Sequence, residues 1–333
     1  MRSSRFLCVL CVKSFFLKKA HVPSLIRTEK EVDLKFPRGF SGVIPQRYRG
    51  IGLRAMDVPV LLHLGLVGVL IIPFHHGVRH WPWIPPIHAA FCLLLVEMIR
   101  LSSKRRNRLL DFARTFYPVL WIGFAWKETG HVVTMIFPYW ANALVVKADV
   151  FIFGVHPTVW VESIFRPWLT ELMNCLYFSY YFFLPAAVFP LYFRGRRRDA
   201  ADVLFLMTLT FSVSFVLFLM FPAEGAWVIL KDLHTVEPEG GFFMHLVQSI
   251  QAKGTIPAGA FPSSHVAAAF VIALGALKFN PKIGWILLLL SPGVAFATVY
   301  CRYHHAVDAI AGILLGTLMY AAAVQILKRR NRR

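Results

Sequence analysis

Hydrophobic positions in this chain gather into long runs, and the polar positions collect between them. At about 20 apolar residues per bilayer crossing, the runs predict eight membrane-spanning helices. They lie at roughly 58–74, 86–101, 115–137, 169–193, 201–221, 264–278, 283–300 and 306–327. Several are short for a crossing, which predicts tilted helices with ends displaced by a few residues. The expected fold is all-α, a polytopic membrane helical bundle. Composition agrees. The chain is 57% hydrophobic and 16% charged, with mean hydropathy +0.58, too little polar surface for a soluble domain of 333 residues.

The basic residues sharpen this picture. A net charge of +19 is no sign of nucleic acid here, because the Lys and Arg residues sit between apolar runs. With both termini placed inside, 29 of the 36 fall in the inside segments 1–57, 100–114, 194–198, 278–282 and 328–333. The other seven are Arg79, Lys127, Lys147, Arg166, Lys231, Lys253 and Arg302. The positive-inside rule weights short loops, and without the N-terminal arm the bias is still 17 to 7. Both termini are therefore expected in the cytoplasm. The long connections 138–168 and 222–263 are expected on the extracytoplasmic side, long enough to cover a site, with 242–251 as a short interfacial helix.

The remaining composition is quieter. Cys8, Cys11, Cys92, Cys175 and Cys301 are scattered, and the single C-x-x-C has no second pair, so neither a zinc site nor a disulfide framework is expected. Arg2 and Arg5 precede a short apolar stretch that Lys13, Lys18 and Lys19 interrupt. That is the pattern of a basic cytosolic arm rather than a signal peptide, either solvated or touching anionic lipid.

Two stretches carry candidate chemistry. In Phe261-Pro262-Ser263-Ser264-His265, proline and serines precede an apolar run and predict a helix start. Its first turn offers free N–H groups and the positive dipole end to an anion, with His265 placed to donate a proton. In Arg302-Tyr303-His304-His305-Ala306-Val307-Asp308, His304 and Asp308 stand four apart on one helix face. A carboxylate there fixes the tautomer of an imidazole and frees its other nitrogen as nucleophile or base. The span between the two stretches returns the chain to the same side, so both meet extracytoplasmic water. Each also has a plainer reading, as a capped helix end or an interfacial anchor.

Other polar groups are weaker candidates. Arg302 is the first choice for binding phosphate oxygens. Lys231 and Lys253 lie in the same external segment as lesser phosphate-binding candidates, and solvated loop charge is the plainer reading of each. Lys127 and His131 share a face inside the third predicted span and suggest a head-group pocket, though pairing of Lys127 with Glu128 or across helices serves as well. His75, His76 and His80 lie in a Trp-rich interfacial loop and are not expected to hold a metal.

Taken together, the two stretches resemble the type 2 phosphatidic acid phosphatase superfamily. Ser263-Ser264-His265 corresponds to its Ser-Gly-His triplet, and His304 with Asp308 to its His-x-x-x-Asp. The resemblance implies that His304 attacks phosphorus, Asp308 supports it and His265 protonates the leaving group, with no cofactor or metal. It also implies a six-helix catalytic core over 110–327, preceded by two additional helices in 58–109 and flanked by the arm 1–57 and a basic tail 328–333. Two departures are plain. Ala297-Thr298 stand where the family usually has Ser-Arg, and Arg166-Pro167 lacks the lysine of the first motif.

The displaced arginine is more similar to the inositol phosphorylceramide synthase branch. So are the stretches Asp149–Pro157 and Phe221–Trp227, and Ala311-Gly312. That branch implies a lipid phosphotransferase passing a phosphoinositol-like head group to a lipid alcohol. Its partners are lipid substrates within the bilayer, not nucleic acid. A hydrolase of lipid phosphates or polyprenyl diphosphates shares the motifs. A non-catalytic lipid-binding or transport protein would be expected to lose the histidines or the aspartate, and a channel would carry polar groups along a crossing path.

Overall fold

A computed structural model describes residues 52–104 and 107–331, so residues 1–51 of the predicted arm and the last two of the tail lie outside it. Among the described residues there is helix and no strand. The helices are α1 (Asp57–Leu70), α2 (Ile84–Lys104), α3 (Arg108–Val132), α4 (Asn142–Phe153), α5 (Pro157–Trp160) and α6 (Pro167–Phe193). They continue with α7 (Arg197–Met220), α8 (Ala226–Ile229), α9 (Phe242–Gly254), α10 (Ser264–Phe279), α11 (Pro281–Tyr300) and α12 (Ala306–Asn331).

Every predicted span appears as a helix. Five of them, α2, α6, α7, α11 and α12, are both long and apolar enough to cross a bilayer. Those five define a polytopic helical membrane protein. The other three depart from the simple count for distinct reasons. At 14 and 16 residues, α1 and α10 fall short of a full crossing. At 25 residues α3 is long enough, but it carries Arg108, Asp111, Arg114, Lys127 and Glu128. The connection 138–168 is also more ordered than a loop. Helix α4 and the Pro157–Ile164 segment meet at 64° and together pass as a broken or re-entrant span. The helix predicted at 242–251 is present as α9.

Polar clusters fix the two ends of the bundle. At one end Asp57, fully buried, accepts from Arg114 Nη1 at 2.6 Å and Tyr117 Oη at 2.7 Å. Asp111 there takes Arg54 at 3.0 Å and Arg197 at 2.9 Å. Arg196 donates to the Phe279 carbonyl at 2.9 Å, so the starts of α1, α3 and α7 meet the end of α10. Within the bundle, His88 of α2 binds Glu128 of α3 at 2.5 Å. That is the partner Glu128 takes, rather than the neighbouring Lys127.

The opposite end holds the two motifs, and small residues let them meet. A Cβ on Gly312 would lie 2.6 Å from the Ser263 carbonyl, and one on Gly316 2.5 Å from the Ala267 carbonyl. Helix α12 therefore crosses α10 in backbone contact, as small residues spaced four apart permit in membranes. The Ser263 amide donates to the Asp308 carbonyl at 3.0 Å. Sequence pattern makes the helices, and these glycines set how closely their starts approach.

Candidate active site

Helix α10 begins as its sequence predicts. Ser263 is the N-cap, its hydroxyl accepting from the Val266 amide at 3.4 Å. Ser263 and Ser264 are both buried. His265 follows inside the first turn, among aromatic rings whose centroids lie 5.1 Å (Tyr180), 5.6 Å (Tyr177) and 6.1 Å (Trp126) away. The His304 ring is 6.0 Å from it, tilted by 60°. Two stretches 39 positions apart in sequence thus place their histidines ring to ring.

His304 stands in the short link between α11 and α12. The Ala260 carbonyl lies 3.0 Å from its Nδ1, which makes Nδ1 the protonated nitrogen and leaves the lone pair on Nε2. Asp308 Oδ2 is further, 3.5 Å from the same Nδ1, and accepts from the His305 amide at 2.8 Å. Asp308 therefore shares the orienting task with a main-chain oxygen. Burial holds the His304 pKa down to about 4, so the ring is neutral at neutral pH.

The cations are arranged differently from expectation. Arg302 adopts φ +62, a left-handed conformation that costs a non-glycine residue about 1–2 kcal/mol. Its guanidinium is committed. Nη2 meets Glu162 Oε1 at 2.8 Å and also the Val236 carbonyl, and the group stacks on Phe165 at 5.1 Å. Arg302 and exposed Lys231 line a cavity of about 420 Å³ together with Thr170, Asn174, Tyr300 and Tyr303. His265 and His304 are not among that cavity's lining residues.

Lys127 and His131, expected to face a head-group pocket, have other surroundings among the described residues. Both side chains are exposed, and Lys127 donates to the carbonyls of Lys253 and Gly254 at 2.8 and 3.4 Å, closing the C-terminus of α9. Lys253 contributes that carbonyl, and its own side chain is exposed. His75 stacks on His76 and Trp81 at 4.4 and 4.3 Å.

Four contributors were given no chemical role by the sequence, although Asp149 opens a stretch noted above for its resemblance. They are Tyr177 and Tyr180 against His265, Glu162 under Arg302, and Asp149. The last is a fully buried carboxylate of α4 that accepts from the Val307 and Ala306 amides at 2.8 and 3.2 Å. An acid inside the apolar run 144–153 was the signal available for it.

The fold and site define a helical membrane protein with a paired-histidine centre between the starts of two helices. The profile of the PAP2 superfamily matches residues 144–322, more than half of the chain and the whole of this centre. The chain belongs to the PAP2 superfamily. It is also similar to a PA-phosphatase related-family protein of Dictyostelium discoideum, with 34% identity over 110 residues. That match covers 31% of this chain and 20% of the length of the relative. No solved structure matches the chain.

Proposed function

We propose that the protein is a lipid phosphotransferase. It moves a phosphorylated, phosphoinositol-like head group from a donor phospholipid to a lipid alcohol within the bilayer. His304 Nε2 attacks phosphorus, a P–N bond forms, and the P–O bond to the leaving lipid breaks as His265, held as the imidazolium by the bound anionic phosphate, supplies the proton to that oxygen. The acceptor hydroxyl then attacks the phosphohistidine, returning its proton to His265 and freeing His304. Ser263, Ser264 and the first turn of α10 are suited to the phosphate oxygens. Arg302 joins them once it exchanges Glu162 for phosphate, with Lys231 at the rim of the same cavity. These side chains suffice for the reaction, and no metal or cofactor enters it.

The observation carrying this proposal is the His265–His304 pair, with rings 6.0 Å apart and Nδ1 of His304 satisfied by a carbonyl. A hydrolase in which water takes the phosphoryl group is the second reading, favoured by the phosphatase name of the Dictyostelium relative.

A donor-by-acceptor assay separates them. Labelled phosphatidylinositol, phosphatidate or polyprenyl diphosphate is supplied to purified protein in liposomes, with and without ceramide or diacylglycerol. Label in a new lipid is expected. Acceptor-independent phosphate release makes the protein a hydrolase instead. Turnover is expected to survive a chelator and to vanish in His304→Ala. A fully active His304→Ala variant rules out the phosphohistidine route.

A further inference from the structure

We propose that Asp149 is a positioning residue of this centre, holding the start of α12 so that His304 and Asp308 keep their register. The inference rests on the function proposed above.

The first amides of any helix lack partners within it and need acceptors from elsewhere. A Ser, Thr, Asp or Asn just before the helix is the usual solution, and α10 uses it. Helix α12 is preceded instead by Tyr303-His304-His305, with no such residue to cap it. Its start is also buried, so water is a poor substitute: His305 and Asp308 are fully buried and Ala306 nearly so. The missing acceptors arrive from 157 positions earlier. Asp149 Oδ1 takes the Val307 amide at 2.8 Å and Oδ2 the Ala306 amide at 3.2 Å. Its negative charge also faces the positive end of the helix.

One further contact makes this more than a cap. His305 lies between the two residues given chemical roles, and its Nδ1 is 3.4 Å from Asp149 Oδ2. The His305 amide in turn donates to Asp308 Oδ2 at 2.8 Å. A single carboxylate therefore touches residues 305, 306 and 307, every position between His304 and Asp308. Helix α4 can hold that carboxylate still because its own start is fastened. The Ala141 amide donates to the Pro222 carbonyl at 2.7 Å, and Asn142 exchanges two hydrogen bonds with Glu224 at 2.8 and 3.0 Å. The chain of support runs from the 222–224 loop through α4 to the nucleophile.

Misplacement by about 1 Å from a site remote from the chemistry can cost about 100-fold in rate. Asp149→Asn keeps one oxygen for an amide but loses the charge, and Asp149→Ala removes both acceptors. Each variant is assayed in liposomes with whichever of phosphatidylinositol, phosphatidate or polyprenyl diphosphate the wild type turns over. Rates are expressed per folded molecule, counted by size-exclusion chromatography and thermal unfolding. We expect kcat to fall about tenfold in Asp149→Asn and about 100-fold in Asp149→Ala, with KM within about twofold of wild type.

Wild-type kcat per folded molecule in both variants overturns the proposal, since a purely structural role lowers only the folded fraction. If Asp149→Ala does not fold, a wild-type kcat in the near-isosteric Asp149→Asn has the same force. His304→Ala is the control that separates the two levels. An inactive His304→Ala beside a fully active Asp149→Asn refutes the positioning role alone, and an active His304→Ala refutes the phosphohistidine reading beneath it.

Discussion

His304 is buried, neutral and oriented through Nδ1, which sets its behaviour with pH. A neutral imidazole is the nucleophilic form, and its pKa lies near 4 rather than 6.5. With a phosphodiester donor, which has no second ionisation near neutrality, the acid limb of kcat/KM is expected near pH 4. A profile between about pH 3.5 and 8 checks this, and a limb at 6.5 would contradict it. The same shift has a stability consequence. The unfolded chain takes up this proton first, so stability is full above about pH 6.5 and falls as pH drops towards 4. Arg302 is governed by its partner. Breaking a buried pair by removing one charge costs about 3–5 kcal/mol. Glu162→Gln is accordingly expected to lower the unfolding temperature in detergent clearly, whereas a variant at exposed Lys231 should leave it unchanged.

Among the elements, the crossing of α10 and α12 makes the site. Gly316→Ala puts a methyl 2.5 Å from the Ala267 carbonyl, and overpacking of this kind costs about 1–3 kcal/mol. Activity should fall with stability, because the two helix starts separate. Gly65, in the middle of α1, has nothing within 4 Å of its would-be Cβ. Gly65→Ala should therefore stabilise, by about 0.5–1 kcal/mol through helix propensity. Thermal unfolding of the two variants side by side tests the contrast. These elements show what could be read from sequence. The Pro-Ser-Ser start of α10 is a local signal, since the cap lies next to the residues it caps. The cap of α12 is not, because Asp149 comes from a different helix.

At the scale of the whole molecule, the contacts sort the chain into two ends. Arg54, Arg114, Arg196 and Arg197 gather at one end, and the histidine centre lies at the helix ends opposite. The positive-inside bias predicts that the arginine end is cytoplasmic. A cysteine replacing Lys231, in a background without the native cysteines, is expected to react with an impermeant maleimide in intact cells or sealed lumen-out vesicles. One replacing Arg194 should react only after permeabilisation. The reverse pattern turns the site towards the cytoplasm.

The sequence by itself determined the helices and their approximate ends, and it predicts that His265 and His304 share one side of the membrane. It did so because burial in lipid demands apolar runs of a set length, and because alternation of spans fixes sidedness. Only the tertiary structure decided which polar groups pair. Arg302 went to Glu162, Lys127 to the end of α9, and Asp149 to the start of α12. Each of those choices depends on distances between helices far apart in the chain, and hydropathy carries no record of them.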